Sequence, residues 1–449
     1  MDIIHEVYAE WFKKMEEIDL SEGGVSRFIE QAMDVSKTEI LKLTAAKIEE
    51  IDEILLRKPG LRKNWQVVRK ADPRTVETLA GTLNYERRYY RNRKTREHAY
   101  LTDRILGIER YERVESGLGA GLCEAATEQS YAKSSEVLCK GAVSRQTVMR
   151  KLRQVREDKL EVKEERKDVT VLHIQADEDH VAMQDGRNSQ VKLIAIHEPA
   201  RTQGKRTYLP ERFCMSSYKS STEDFWLSVA NEVVGRYGER ENLTVYIHGD
   251  GAPWIKAGLA WIPNSRFVLD KYHLRKYLTP VAGGNKQYEG YLRAALKADD
   301  FSMLSKLVEA MVDEECCTEQ TGKDFLNYVK TNREGVRMLF TGEAGGSCAE
   351  GLVSHVLSSR LSSRPKGWMD EGLEAMSRLR VYKANGGQIR PEHLRKKAKV
   401  SVPGKKKIQA TLSRVSDFSP MFTNACHSDR RGTPEYRLFK AISEGGMAI

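Results

Sequence analysis

The sequence predicts a mainly helical N-terminal region followed by an α/β core with a mixed β-sheet, and two observations lead to this fold class. Apolar residues recur at helical spacing through most of the first 58 residues, a pattern typical of amphipathic helices. From Val169 onward, short apolar runs bounded by turn residues alternate with helical segments. Strands joined through helices are typical of parallel pairs, whereas strands that follow one another directly are typical of antiparallel pairs.

The size and composition of the chain exclude several classes of protein. Its 449 residues have room for roughly three domains. No apolar run approaches the ~18 residues that a membrane span requires, and the acidic, amphipathic N-terminus does not resemble a signal peptide. We therefore expect a cytoplasmic protein without a membrane partner. The seven cysteines contain no Cys-x-x-Cys pair, so we expect reduced thiols rather than a zinc site.

The charge of the chain favours a polyanionic partner. Lys and Arg number 74 against 64 Asp and Glu, which gives a net charge of +10. Arginines alternate with aromatic residues in 85–96, and a second basic stretch occupies 390–407. A solvated charged surface is the alternative for either stretch alone. Two such stretches together favour nucleic acid, and Lys396 and Lys397 of the second are predicted to bind DNA.

The chain is predicted to divide into consecutive parts. The N-terminal part combines helices with a short β-hairpin near residues 78–90. The predicted parts are a helical region with this hairpin (1–128), a helix-turn-helix with a charged linker (129–168), the first part of the core (169–273), a helical insertion (274–345), the closing helices of the core (346–385) and a basic C-terminal tail (386–449).

Residues 130–155 are predicted to form a helix-turn-helix. A short helix from Tyr131 to Leu138 meets a turn at Lys140-Gly141, and Ser144 is placed to cap a second helix. In such a motif the second helix enters the major groove of DNA. A plain helical hairpin is the alternative. The side chains predicted to contact DNA are those of Arg145, Gln146, Arg150 and Arg153.

The core is predicted to contain strands in an order that defines its topology. The predicted strands are 169–177, 178–184, 190–199, 243–250 and 265–270. The first three follow one another directly and should be antiparallel, whereas the later ones are joined through helices and should be parallel. This order matches the ribonuclease-H-like fold. A helix that carries Glu350 is predicted to close the core after the helical insertion.

Three carboxylates are predicted to meet at one edge of this sheet. Asp177 lies late in the first strand, Asp250 ends the fourth, and Glu350 could reach the same place from the closing helix. Ligands of open sheets gather beyond the carboxyl ends of the strands. Converged carboxylates repel one another unless a cation lies among them. We therefore predict that they bind Mg²⁺ or Mn²⁺, as two ions about 3.5–4 Å apart.

Each of these acids has an alternative interpretation. Asp250, in the turn Gly-Asp-Gly, could simply cap the helix that follows. Asp179 shares a strand face with Asp177 and could replace it as the first ligand. Other acids that could take the place of Glu350 are Glu343, Glu371 and Glu374.

Further polar residues lie near the predicted site. His273, just after the last strand, could position a phosphate or the attacking water, and a hydrogen-bonded structural histidine is its alternative. Arg360 and Arg364 are one turn apart on the predicted Glu350 helix and could hold a DNA backbone. Trp254 is predicted to belong to the core.

Four ordered segments together resemble a known family. They are "HIQADEDHVAMQ", "YIHGDGAPWI", "LDKYHLRKYL" and "CAEGLVSHVLSSRLSSRPKGW". The chain resembles the ISLre-type transposases of bacterial insertion sequences, a group long catalogued as an uncharacterised protein family and distantly similar to Mutator-like transposases. The similarity covers most of the chain, including the region of the predicted helix-turn-helix.

The resemblance implies a DDE transposase with a ribonuclease-H-like core, and its acids fall on Asp177, Asp250 and Glu350. Such enzymes bind the terminal inverted repeats of their element, cut the DNA by hydrolysis and join the freed 3′-hydroxyl to target DNA. The implied partners are double-stranded DNA and further copies of the chain, and the bound protein would be nucleoid-associated. The first motif has Glu-Asp where many relatives of the fold have Gly-Thr, which keeps Asp179 as an alternative. A nuclease or resolvase of the same fold and a non-catalytic DNA-binding regulator are the other candidate functions.

Overall fold

The computed structural model describes residues 3–21, 23–158, 166, 168–239, 241–364 and 366–394. The chain forms two compact units, one ending at Leu118 and the other spanning Gly119–Leu394. The predicted DNA-binding residues Lys396 and Lys397 lie outside the described residues. Among the described helices, none combines the length and the apolar character needed to cross a bilayer.

The first unit consists of a helical hairpin and a long β-hairpin. Strands β1 and β2 pair antiparallel along their length, up to the pair Thr78 and Gly81, so the predicted hairpin is confirmed and is longer than expected. The elements are α1 (Ile3–Glu16), α2 (Gly24–Arg57), a 3₁₀ turn (Pro59–Arg62), β1 (Trp65–Thr78), β2 (Gly81–Asn92), β3 (His98–Ala99), α3 (Leu101–Leu106) and the start of α4 (Ser116–Ala126).

The basic stretch 85–96 lies largely on β2, and its arginines are partly used inside the unit. Arg87 is buried and forms an ion pair with Asp103. Arg88 Nη1 lies 2.7 Å from Asp52 Oδ2. The alternation of aromatic and basic residues thus reflects a half-buried strand. The predicted nucleic-acid surface is therefore not supported at these two arginines.

The second unit begins with the rest of α4 and a pair of short helices, α5 (Tyr131–Cys139) and α6 (Arg145–Gln154). Lys140 and Gly141 both have positive φ, at 49° and 80°, which allows the tight turn between the helices. The side chain of Ser144 caps α6 by accepting from the N–H of Thr147. The predicted helix pair, with its turn and its cap, is therefore confirmed.

A five-stranded mixed sheet forms the centre of this unit. Its strands and the intervening elements are β4 (Val171–Ala182), β5 (Asn188–His197), β6 (Arg201–Gln203), β7 (Arg206–Tyr208), β8 (Phe213–Ser217), α7 (Thr222–Tyr237), β9 (Thr244–Gly249), α8 (Pro253–Lys256), a 3₁₀ turn (Ala257–Ala260) and β10 (Ser265–Leu269). The spatial order is β10-β9-β4-β5-β8. β5 is antiparallel to β4 and β8, whereas β9 and β10 run parallel to β4. The predicted mixed sheet is confirmed.

Two of the predicted strands were wrong in detail. The segments 169–177 and 178–184 form one strand, β4, which pairs with β5 from His173 to Ala182. The acids in the middle of β4 interrupt its apolar pattern, so the sequence predicted two strands where the structure has one. β8 was missed because this edge strand is short and ends in Ser216 and Ser217, so it lacks an apolar run.

The remaining helices follow the sheet, and the segment 274–345 is helical as predicted. The elements are α9 (Lys271–Val281), α10 (Lys286–Lys297), α11 (Phe301–Asp313), α12 (Glu319–Thr331), α13 (Arg333–Thr341), α14 (Ala349–Val353), a π-helical segment (Ser354–Ser358), α15 (Ser359–Leu361), α16 (Asp370–Ala384) and a 3₁₀ turn (Pro391–Leu394).

The main core lies between the sheet and helices α7 to α13. Its members include Ile174 of β4, Ile247 of β9 and the fully buried Trp226 of α7. Trp226 Nε1 donates to the carbonyl oxygen of Trp254 at 2.6 Å, which satisfies the one polar group of that side chain. Trp254 itself belongs to this core, as predicted.

Helix α13 packs closely on β10, and one glycine permits this contact. A Cβ at Gly335 would lie 2.4 Å from Phe267 Cε1, so we expect Gly335→Ala to push the helix away and lower the free energy of unfolding by about 1–3 kcal/mol. A Cβ at Gly290 on α10 would meet no atom within 4 Å. Gly290→Ala should therefore raise stability by about 0.5–1 kcal/mol. Urea denaturation of both variants checks this packing, and equal effects would contradict it.

Candidate functional site

The structure brings Asp177 of β4 close to three other carboxylates. Its side chain is only 7% exposed, and Oδ1 accepts from the N–H of Glu178 at 2.9 Å. Burial raises the pKa of Asp177 to about 7, and the charges of Glu350, Glu178 and Asp250 also raise it. These acids come from β4, from the end of β9 and from α14, so distant parts of the sequence meet here.

The register of the sheet explains why Asp177 and Asp250 meet. Gln175 of β4 pairs with His248 of the parallel strand β9. When this register is continued by two residues, Asp177 stands beside Asp250. Asp250 follows the end of β9, and Asp177 lies on β4 just past its last pairing with β9. This is the edge where ligands of such sheets bind.

Asp250 lies in a turn that is held from two directions. Its Oδ1 accepts from the N–H of Ala252 at 2.8 Å, so the capping contact considered from the sequence is present. Its backbone oxygen accepts from the hydroxyl of Tyr328 on α12 at 2.7 Å. Gly251 has φ +94°, and a Cβ there would lie 2.2 Å from Asn332 Oδ1. Only glycine fits this turn beneath the helical insertion.

Glu350 is exposed on the first turn of α14. Of the acids considered at this position, it is the one that contributes to the raised pKa of Asp177. Glu343 forms an ion pair with Arg266 at 3.6 Å. Glu371 forms one with Arg153 at 2.9 Å. Glu343 and Glu371 are thus paired elsewhere, whereas the charge of Glu350 acts on Asp177.

The two acids beside Asp177 have side-chain partners of their own. Asp179 Oδ1 accepts from the hydroxyls of Ser358 and Ser362, at 2.9 and 2.7 Å. Glu178 points to the other face of β4, where its Oε2 accepts from Trp254 Nε1 at 2.7 Å. Asp179 Oδ2 has no hydrogen-bond partner among the described residues, and the charge of Glu350 also raises the pKa of Asp179. Asp179 therefore stays an alternative to Asp177.

The donor chemistry of this site suits a hard divalent cation. Carboxylate oxygens are the ligands that Mg²⁺ and Mn²⁺ prefer, and a cation would relieve the repulsion that contributes to the raised pKa of Asp177. Within the described ranges, no three His, Cys, Asp or Glu side chains are gathered tightly enough to form a ready-made metal site. Asp177, Asp250 and Glu350 thus fit the ions by chemistry, without a closed cage.

His273 lies beside this site on α9. Its Nδ1 is 4.0 Å from Asp270 Oδ2 and is buried without a hydrogen-bond partner among the described residues. Asp270 caps α9 by accepting from the N–H of Tyr272 at 2.6 Å, and its Oδ2 accepts from Ser347 Oγ at 2.7 Å. The hydrogen-bonded structural histidine considered from the sequence is not observed at Nδ1.

A buried polar network beneath the site was not expected from the sequence. Gln175 Nε2 lies 3.1 Å from His197 Nε2, and Gln175 Oε1 accepts from the N–H of Cys348 at 3.1 Å. On the same face, His173 Nδ1 lies 3.0 Å from His248 Nε2. One signal was available: Gln175 is two residues from Asp177, so it must share that face of the strand.

Arg360 does not occupy the surface position that was predicted for it. Its side chain is 3% exposed, and its Nε donates to the carbonyl oxygen of Ala126 at 2.8 Å. The guanidinium lies 5.1 Å from the ring centre of Trp368. This burial argues against a DNA-backbone contact by Arg360, whereas Arg364 is exposed. Sequence spacing placed the two arginines on one helical face, but the helix ends at Leu361, so Arg364 lies beyond it.

The helix pair α5–α6 presents part of its predicted polar face to solvent. Arg145, Gln146 and Arg150 are exposed, and the apolar face of α6 is buried. Arg153 is instead drawn toward α16, where its Nη1 lies 2.9 Å from Glu371 Oε2. Three of the four predicted side chains are therefore accessible.

A family model matches residues 18–398, most of the chain. The chain belongs to the uncharacterised protein family UPF0236. A UPF0236 protein of Caldanaerobacter subterraneus subsp. tengcongensis is 37% identical over 409 residues, which cover 88% of this chain and 87% of the relative. A UPF0236 protein in the vanSb 3′ region of Streptococcus gallolyticus is 25% identical over 362 residues, 76% of this chain and 78% of the relative.

The UPF0236 family has many paralogues in the first of these bacteria. The name of another Caldanaerobacter relative, also 37% identical over 88% of this chain, joins eleven gene designations. The name of the Caldanaerobacter relative described first joins four such designations.

In this UPF0236 chain the raised pKa of Asp177 predicts a pH-dependent stability. The native state keeps the Asp177 proton up to a pH of about 7, whereas the unfolded chain loses it near pH 4. Asp177 therefore contributes stability below pH 4 that is lost as the pH rises toward 7. Relative to the wild type, Asp177→Asn should gain on the order of 3 kcal/mol between pH 4 and pH 8.

Urea denaturation in EDTA across this range measures the difference. The comparison with wild type is needed because two buried histidines change the stability in the opposite direction. Burial lowers the pKa of His173 to about 4 and of His248 to about 3, so these residues make the protein more stable as the pH rises. Both proteins contain them, so their effect cancels in the difference. Asp300→Asn, at an exposed helix cap, is the control and should follow the wild type. If the free energy of unfolding depends on pH in the same way in Asp177→Asn and in the wild type, Asp177 is not buried among acids that repel it.

Proposed function

We propose that this chain is a DDE transposase that cuts and joins DNA with divalent metal ions. The observation that carries the proposal is the burial of Asp177 at the edge of the sheet, near enough to Asp250 and Glu350 for their charges to raise its pKa. The three acids come from a central strand, from the turn after its parallel neighbour and from a later helix. An acid with a pKa of about 7 beside two others is an unfavourable arrangement, and functional sites are where such arrangements concentrate.

The sheet supports a ribonuclease-H-like assignment for the core. Numbered in chain order within the sheet, the strands lie in the order 3-2-1-4-5, and only the second is antiparallel to the others. The first acid lies on the central strand and the second follows the adjacent parallel strand. The sequence predicted a mixed sheet of this kind, but it divided β4 into two strands and did not include β8.

In the proposed enzyme, Asp177, Asp250 and Glu350 would hold Mg²⁺ or Mn²⁺, in a site for two ions. Bound ions of this kind activate an attacking oxygen and stabilise the leaving oxygen in phosphoryl transfer. The chain's own residues supply the position of these ligands. Tyr328 and Asn332 fix the Asp250 turn, and His273 borders the same edge with a buried Nδ1.

We propose that α5 and α6 form a helix-turn-helix that recognises the ends of the element. The exposed Arg145, Gln146 and Arg150 stand at the start and middle of the second helix, where such motifs contact bases and phosphates. Arg364 is an additional candidate for a backbone contact. Simultaneous binding of two ends would require at least two copies of the chain.

The distribution of relatives supports a mobile element. The names of two relatives join eleven and four gene designations. Many paralogues of one protein in one bacterium are what repeated transposition would leave behind. A nuclease of the same fold would share the acids, but it would have no reason to multiply in this way.

The role of Asp250 is tested by Asp250→Asn in a plasmid that carries this gene with its flanking genomic DNA. We expect loss of cleavage and strand transfer in Mg²⁺ by at least about 100-fold, because one ligand charge is lost. DNA binding should persist, since asparagine can still accept from the N–H of Ala252. Asp300→Asn should cleave normally. Undiminished cleavage by Asp250→Asn would overturn the proposed chemistry, and cleavage without strand transfer by the wild type would indicate a nuclease.

The role of α6 is tested by the double variant Arg145→Ala and Arg150→Ala. Each lost phosphate or base contact weakens binding, so we expect affinity for the flanking DNA to fall roughly 10-fold or more and its salt dependence to become shallower. Lys297→Ala with Lys306→Ala removes the same charge from the exposed surfaces of α10 and α11 and serves as the control. Electrophoretic mobility shifts at several salt concentrations measure both. If the two double variants lose affinity equally, α6 is not the recognition helix.

A further inference from the structure

We propose that Gln175 and Asp179 act as a two-point clamp that positions Glu350 over Asp177. The proposal rests on the proposed function and concerns residues that do not themselves bind the ions. Gln175 and Asp179 are the neighbours of Asp177 on the same face of β4. Each is hydrogen-bonded to the segment 347–362, which carries Glu350, on opposite sides of that residue.

The first point of the clamp lies just before Glu350. Gln175 Oε1 accepts from the N–H of Cys348 at 3.1 Å. The Gln175 amide is itself oriented, because His197 Nδ1 lies 2.6 Å from the carbonyl oxygen of Glu198. His197 therefore carries its proton on Nδ1, and its Nε2 accepts from Gln175 Nε2 at 3.1 Å. A fixed amide on β4 thus holds the backbone where α14 begins.

The second point lies about two to three turns after Glu350. Asp179 Oδ1 accepts from Ser358 and from Ser362, at 2.9 and 2.7 Å. Asp179 is 6% exposed, so two hydroxyl donors satisfy an oxygen that water reaches poorly. Hydrogen bonds to a charged acceptor are stronger than neutral ones. This carboxylate therefore ties the far end of the segment to the strand of Asp177.

Between the two points the helix is not regular. Residues Ser354–Ser358 form a π-helical segment, in which the backbone hydrogen bonds of an α-helix are displaced. Arg380 of α16 donates to the carbonyl oxygens of His355 and Val356, at 2.5 and 2.7 Å. A helix that is irregular here depends on outside contacts for its register. The clamp therefore determines where Glu350 stands along β4.

Such outer contacts control how well ligands hold a metal ion. Loss of a partner that orients a ligand typically lowers metal affinity 10- to 100-fold. Gln175 and Asp179 are accordingly positioning residues, with Glu350 as the group that they position. Because both belong to the strand of Asp177, the distance between the first and third acids is set within one strand and one segment.

The test removes the Asp179 contacts from the segment side. In Ser358→Ala with Ser362→Ala, the hydroxyls are lost while every acid remains. Ser363→Ala is the matched control, since Ser363 is exposed and its hydroxyl donates to the carbonyl oxygen of Ser359. If the double variant fails to fold, Ser362→Ala alone is a milder substitute. Ser362→Thr retains the hydroxyl and should behave like the wild type.

Two measurements on the full chain are compared. Hydrogen exchange of the amides in 349–361 should become faster in the double variant and stay unchanged in Ser363→Ala. Calorimetric titration with Mn²⁺, on the chain bound to its flanking DNA, should show affinity roughly 10-fold weaker in the double variant. Wild-type hydrogen exchange and Mn²⁺ affinity in Ser362→Thr would show that the effect comes from the lost hydroxyl and not from a general loss of packing.

The outcomes separate the clamp from the proposed function. Unchanged hydrogen exchange in the double variant would overturn the clamp, whatever the protein does. Faster exchange with unchanged Mn²⁺ affinity would overturn its role in positioning Glu350. If the wild type binds no Mn²⁺, or if Asp250→Asn binds it equally well, the proposed function fails and this role fails with it.

Discussion

The constraint on which the site depends is the register of strand β4. This strand is hydrogen-bonded on one side to β5 and on the other to β9, so its residues alternate strictly between two faces. Asp177 therefore cannot turn away from the neighbouring acids to reach solvent. Its burial costs free energy, which the sheet around it must supply. A local change of register would relieve that cost, but it would also expose the apolar side of the strand.

The helical insertion has a structural role at the same place. Tyr328 of α12 donates to the backbone of Asp250, and Asn332 lies against Gly251. The turn that carries Asp250 is thus packed beneath helices that follow it by about eighty residues of chain. The insertion and the sheet form one core, so the insertion is needed to shape the site.

Helix α16 links the segment that carries Glu350 with the helix pair. Arg380 donates to two carbonyl oxygens of the π-helical segment and also lies 2.5 Å from Glu128 Oε2, just before α5. Arg378 donates to the carbonyl oxygen of Val155, just after α6, at 3.1 Å. The proposed recognition helix and the segment that carries Glu350 are therefore both held by residues within one turn of α16.

Local pattern was sufficient for much of this chain. The turn and cap of α5 and α6 followed from residues within a few positions of one another, because caps are local properties. The mixed character of the sheet followed from the order of strands and helices along the chain. The apolar pattern gave wrong strand predictions at two places. Acids interrupt it in β4, which was predicted as two strands, and the short β8 has no apolar run and was not predicted. Family membership in UPF0236 agrees with the breadth of the resemblance.

Only the tertiary structure decided which polar side chains are free. Arg360 and Arg87 are buried by partners that lie far from them in the sequence, Ala126 and Asp103. The pairing of Asp179 with Ser358 and Ser362 likewise spans the whole insertion. The sequence carries the chemistry of such groups, but burial and the choice of partner arise when distant segments pack. For this reason the sequence alone determined the candidate acids, and the fold determined how they are held.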